Sequence, residues 1–63
     1  MKSFELIACD DYEKVYLSRE HDIRITKTNS RCTIYTHSTS LPIAELVGAS
    51  DEFINNKVKD LIN

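Results

Sequence analysis

The chain has 63 residues, 41% hydrophobic and 29% charged, with a formal net charge of −2. That length holds one domain, 1–63, and excludes a large dry enzyme pocket, since a chain of this size buries only about 60% of the surface its unfolded form exposes. The hydrophobic content sets it apart from disordered chains, and eight Lys and Arg against ten Asp and Glu lack the positive field of a non-specific nucleic-acid binder.

No apolar run nears the roughly 18 residues of a bilayer span, so no membrane partner is expected. The opening Met1-Lys2-Ser3-Phe4-Glu5 does not read as a secretory leader. The expected compartment is the cytoplasm, where Cys9 and Cys32 would be reduced core residues rather than a disulfide.

Residues 3–9 read as a strand with Phe4, Leu6 and Ala8 on one side. Residues 12–18 admit two readings. As a strand, Val15 and Leu17 pair with Leu6 and Phe4 around an Asp10-Asp11 turn. As a helix capped by Asp10 or Asp11, Tyr12, Val15, Tyr16 and Arg19 share a face. The Val, Tyr and Leu content favours the strand.

Residues 22–37 carry the clearest signal. Two period-two runs rich in Ile, Thr and Tyr flank Asn29-Ser30. Asn tolerates positive φ, so a two-residue hairpin fits. That turn sets Ile25 opposite Ile34, Ile23 opposite Thr36 and Lys27 opposite Cys32 on the core side. Arg24 then faces Tyr35, Thr26 faces Thr33 and Asp22 faces His37 on the wet side. A slip of one residue would turn both isoleucine rows to water.

The last third reads as a helix pair. Pro42 suits the first position of a short helix through Val47, and Gly48 stops it in the left-handed conformation. Ser50 caps a second helix whose positive end Asp51 and Glu52 complement. Phe53, Ile54, Val58, Leu61 and Ile62 form its apolar stripe. The expected fold is therefore α+β: a small antiparallel sheet of three or four strands packed on a C-terminal helix pair. Its core would comprise Phe4, Leu6, Val15, Leu17, Ile23, Ile25, Ile34, Leu46, Ile54, Val58, Leu61 and Ile62.

Within Ile43-Ala44-Glu45-Leu46-Val47-Gly48-Ala49-Ser50, a small residue precedes a glycine by four positions, and Ile54 follows Ala44 by ten. With Val58-Lys59-Asp60-Leu61, residues 43–61 resemble the helix-turn-helix element of Lrp/AsnC-type regulators. The resemblance implies a DNA-binding regulator using residues 40–62, with Asn55, Asn56, Lys57 and Lys59 as the candidate DNA contacts. Asp51 and Glu52, at the end of the helix that would approach phosphates, depart from that pattern.

Two surfaces are candidates for protein interaction. Arg24, Arg31, Tyr35 and His37, with Thr26 and Thr33, lie on the wet face of the 22–37 hairpin, where an Arg beside a Tyr suits a partner. If residues 12–18 are strand, Ile7, Cys9, Tyr12 and Tyr16 form an apolar patch on the sheet face away from the helix. A second copy of the chain is a candidate to cover it, as a symmetric homodimer pairing patches or unguarded strand edges. No catalytic, cofactor or metal set emerges. His21 sits in a polar turn, and Cys32 and His37 point to opposite faces of one strand. The acidic Asp10, Asp11 and Glu13 read as a turn.

The expectation is thus a small non-enzymatic regulatory or interaction protein that binds another macromolecule. In style it resembles accessory proteins of phages and other mobile elements. A protein is the expected partner, with DNA as the alternative.

Overall fold

Alternation and a two-residue tip build the central hairpin. The computed structural model describes residues 4–62, and in it β3 (Ile23–Thr28) pairs antiparallel with β4 (Arg31–Thr36). Ile25 lies opposite Ile34, Ile23 opposite Thr36, Lys27 opposite Cys32, Arg24 opposite Tyr35 and Thr26 opposite Thr33, the register expected from the pattern. The tip differs in detail. Neither Asn29 nor Ser30 has positive φ, which among the described non-glycine residues belongs to Asp22 and Ser40. The Thr28 hydroxyl instead bridges to Arg31, accepting its N–H and donating to its carbonyl.

β1 (Glu5–Cys9) and β2 (Glu13–Ser18) precede this hairpin, and β5 (Leu41–Val47) follows it. The result is a five-stranded antiparallel meander in the order β1-β2-β3-β4-β5. One helix, α1 (Asp51–Ile62), follows. Residue 3 of the expected first strand lies outside the described residues.

Two expectations are corrected here. The sheet has five strands rather than three or four, and one helix covers it rather than a pair. Both corrections come from residues 41–47. A six-residue helix is too short to stabilise itself, whereas the same residues as a strand take up the free hydrogen-bonding edge of β4. Pro42 fits either reading, because an edge strand tolerates a missing N–H on its open side. The notion of edges unguarded by proline is corrected with it.

A further correction concerns which way β2 faces. The Asp10 carboxylate accepts the N–H groups of Tyr12 and Glu13 at 2.8 and 2.7 Å, and the Asp10 N–H donates to the Glu13 carbonyl. These bonds move the turn tip to Asp11-Tyr12. A bulge at Ile7 then shifts the ladder again, so Leu6 lies opposite Tyr16 and Glu5 opposite Leu17. Tyr16 therefore joins Ile25, Ile34 and Ala44 under α1, while Val15 and Leu17 turn to the opposite face.

The core lies between α1 and the central strands. Ile23, Ile25, Cys32, Ile34, Ile54 and Val58 are buried, with Phe4, Tyr16, Ala44, Leu46, Ala49, Leu61 and Ile62 packed around them. Cys32 is a core residue, but Cys9 is exposed. Leu6, expected in the core, is 48% exposed, because a single helix does not reach over β1.

The strand-to-helix link obeys local chemistry. Gly48 has φ 68°, and its N–H donates to the Ser30 carbonyl at 2.9 Å. Ser50 caps α1: its hydroxyl accepts the Phe53 N–H at 3.2 Å and its carbonyl the Ile54 N–H at 3.0 Å.

Ser50→Ala removes that cap and lowers stability by about 1 kcal/mol, read as a fall in the urea midpoint. A Cβ on Gly48 would meet no atom within 4 Å, so only backbone strain opposes substitution. Gly48→Ala costs about 1 kcal/mol, and Gly48→Asn, which tolerates the left-handed region, costs measurably less in the same titration.

Candidate functional site

Because β-strand side chains alternate, a helix on one side of this sheet leaves every second residue on the other. The uncovered face of the central strands carries the rows Leu17, Arg24, Tyr35 and Val15, Thr26, Thr33. It is not uniformly wet. Leu17 is 5% exposed, although it lies opposite the α1 core, and Val15, Arg24 and Tyr35 are half-buried. The Arg24 guanidinium stands over the Tyr35 ring, 5.1 Å from its centroid, and donates to the Ser40 hydroxyl at 3.2 Å. Arg31 lies at the end of the same face, where its Nε is 3.6 Å from a Glu45 carboxylate oxygen.

The structure thus brings Arg24, Tyr35 and Arg31 onto one face. His37 falls just past β4, and its N–H donates to the Asp22 carbonyl. The expected cross-strand pairing with Asp22 thus forms, through the backbone rather than the ring. The Asp22 carboxylate instead accepts the N–H and hydroxyl of Ser38, at 2.9 and 2.6 Å, and the buried His37 Nδ1 has no hydrogen-bond partner among the described residues. Asp22 holds φ 56°, and these two bonds tie it to the β4–β5 turn.

The second expected surface is divided. Ile7 protrudes at the β1 bulge, 46% exposed, and Tyr12 stands on the β1–β2 turn, 79% exposed. Tyr16 is packed into the α1 core, and Cys9, opposite Lys14, falls on the same side of the sheet. No apolar patch combining the four exists, because the Ile7 bulge and the displaced turn reverse the facing of β2.

The residues expected to contact DNA all lie on α1, where Asn55, Asn56 and Lys59 are exposed and Lys57 is half-buried. The first helix of the helix-turn-helix geometry is absent, since residues 41–47 are β5.

Sequence reasoning missed a cleft at one end of the sheet, where the β1–β2 turn, the β3–β4 tip and the link into α1 converge. Its volume is about 480 Å³, and Lys14, Lys27, Cys32, Leu46, Asp51 and Ile54 are among the residues lining it. Lys27 is ion-paired to Asp51 at the start of α1. That hydrogen bond and the Lys27 charge, with Lys14 adding to it, hold the Asp51 carboxyl below its ordinary value of 3.8. Burial pushes the Cys32 thiol up, against a smaller downward pull from Lys27. The lysines were visible in the alternation of β2 and β3, but their convergence is set by the β2–β3 register, which places them opposite each other.

Among the described residues, no cluster of three or more His, Cys, Asp or Glu is placed to hold a metal ion, and no helix is long and apolar enough to cross a membrane. Compared with known proteins, the chain matches no family model, no curated protein and no solved structure.

Tyr16→Glu places a carboxylate in the core and unfolds or strongly destabilises the protein, by several kcal/mol, which circular dichroism with a urea titration detects. The Asp51 carboxyl titrates lower in the folded than in the unfolded chain, so its pair with Lys27 contributes stability above pH 3.8 that is lost as pH falls through the folded-state value. Asp51→Asn removes that part of the acid dependence of the urea midpoint.

Proposed function

We propose that this protein is a non-enzymatic interaction protein that binds another protein through the uncovered face of its sheet. The observation that carries the reading is the Arg24–Tyr35 stack at the centre of that face. Arg and Tyr are the residue types that most often anchor protein interfaces. Here the ring holds the guanidinium in place and Ser40 fixes its far end, so less side-chain freedom is lost on binding. Val15, half-buried beside the stack, supplies apolar area, with threonines around it.

The charges of this face favour a protein over a nucleic acid. Glu5, Glu13 and Glu45 share it with Arg24 and Arg31, and Glu45 lies against Arg31. A phosphate backbone meets no net positive surface there. Ile7 and Tyr12, exposed at the β1 side, extend the candidate contact area. A regulatory role in its native cell, of the kind that phage accessory proteins have, belongs to the same proposal.

Tyr35→Ala removes the ring beneath Arg24 and lowers affinity for a partner recovered from the native cell by roughly tenfold or more, while the urea midpoint shifts far less. Equal recovery by both proteins overturns the proposal. Binding of duplex DNA at low salt that collapses steeply as salt rises replaces it with the DNA-binding alternative.

A further inference from the structure

The uncovered face of the sheet is divided by charge. Its strand carboxylates on β1 and β2 are Glu5, opposite Leu17, and Glu13, opposite Thr28. Its guanidiniums belong to the other half. Arg31 continues the Glu13–Thr28 row on β4, bridged to Thr28 through that hydroxyl. Arg24 starts on β3, but its head stands over the Tyr35 ring of β4 and reaches Ser40 in the β4–β5 turn. On β5, Glu45 lies against Arg31 at Nε, 3.6 Å away. One half thus carries two carboxylates, and the other two guanidiniums with one carboxylate. Among the described residues Glu5, Glu13 and Arg24 have no ion-pair partner.

The charges around this face keep the division. Lys14 and Lys27 are on the side that α1 covers. The Asp10 carboxylate is held by the amides of its own turn, and that of Asp22 by Ser38. Asp11, at the tip of the β1–β2 turn, adds to the acidic half. Arg19 and Glu20, in the β2–β3 turn, offset each other.

A surface with acids on one side of its midline and bases on the other is complementary to itself. A two-fold axis lying along β3, between two such faces, sets β2 over β4 of a second copy and β1 over β5 of that copy. Glu13 then meets Arg31 of the second copy, and Arg31 meets Glu13 of the second copy in return. Arg24, displaced onto β4, comes beside Glu5 of the second copy. Packed sheets lie about 10 Å apart, a gap that an arginine and a glutamate span end to end. The size of the face agrees. The molecule is nearly isometric, 26 × 23 × 22 Å. One face therefore takes about a sixth of its 4452 Å² of accessible surface, roughly 740 Å², near the approximately 800 Å² that each partner gives to a standard interface. Val47, 68% exposed opposite Arg31, and the half-buried Val15 and Tyr35 supply apolar contact.

We propose that the protein forms a symmetric homodimer, two uncovered sheet faces packed across a two-fold axis along β3, with the Glu13–Arg31 pair made twice. The proposal rests on the reading of this face as a protein interface and names a second copy of the chain as the partner.

Sedimentation equilibrium of the full chain, from micromolar concentration upward, reads the assembly. A monomer–dimer equilibrium is expected. Glu13→Arg sets like charges against each other twice, as does Arg31→Glu. Each should raise the dissociation constant by at least about tenfold, while circular dichroism remains that of the folded chain. An equimolar mixture of the two variants has opposite charges at both contacts, so it should recover the dimer, and the double variant Glu13→Arg/Arg31→Glu should do so by itself. A clean monomer for the unmodified chain overturns the proposal. So does a dimer that neither reversal weakens, or one that the mixture and the double variant fail to restore. The interface reading is decided separately, by partner recovery with Tyr35→Ala, so the two can fail independently.

Discussion

One helix has to cover a five-stranded sheet, and most of this structure follows from that mismatch. Five strands spaced about 4.8 Å apart span roughly 19 Å, and a helix with its side chains is only about 10–12 Å across. Ile54 and Val58 of α1 therefore seal the centre, where Ile25, Ile34 and Cys32 are almost fully buried. They do not seal the flanks. Every residue of β1 is exposed, and Leu41, Ile43 and Val47 of β5 are open to solvent. Among the described residues no helix lies on the opposite face of the sheet, so its side chains stabilise one another: Leu17 beside Arg24, and Arg24 over Tyr35.

How well each element could be read from the sequence depended on whether its register was set by pattern or by a single side chain. The β3–β4 hairpin was readable because several cross-strand pairs and the burial of two isoleucine rows agree on one alignment. The Ser50 cap and the left-handed Gly48 were readable because they depend only on local chemistry. The β1–β2 hairpin was not. Its register turns on one Asp10 carboxylate that captures two amides and on one extra residue at Ile7, and neither leaves a periodic trace. The error moved Tyr16 from core to surface and set Val15 and Leu17 on the α1 side, although Leu17 is buried as expected, on the opposite face. Residues 41–47 were misread because Pro42 and Gly48 punctuate a strand as well as a helix. The partner that decides between them, the open edge of β4, is a tertiary fact.

The candidate sites differ in the same way. Arg24, Tyr35 and Arg31 share a face by alternation alone, so the sequence was enough to bring them together. The cleft required the Asp10 turn, the β3–β4 tip and the link into α1 to close on one another. Lys14 and Lys27 lie beneath the first turn of α1, where Asp51 reaches only one of them. The cleft mixes both signs, since Asp10, Asp11, Glu13 and Asp51 line it beside Lys14, Lys27 and Arg31, which shows why net charge bounds a binding surface without locating it.

The two edges of the sheet bear on how such a small domain remains a discrete molecule. An edge strand with an unbroken row of free N–H and C=O groups recruits further strands. β1 interrupts that row with a bulge at Ile7. β5 interrupts it twice, by a register shift at Ile43 and by Pro42, which has no N–H to offer. These interruptions fall at or beside the exposed Ile7 and Ile43, the side chains that would otherwise reward strand addition most. The flanks that α1 leaves bare are therefore poor templates for open-ended pairing. The uncovered face, by contrast, presents fixed side chains rather than free backbone. Recognition there depends on the shape and charge of the Arg24–Tyr35 stack, a far more selective criterion than an exposed strand edge.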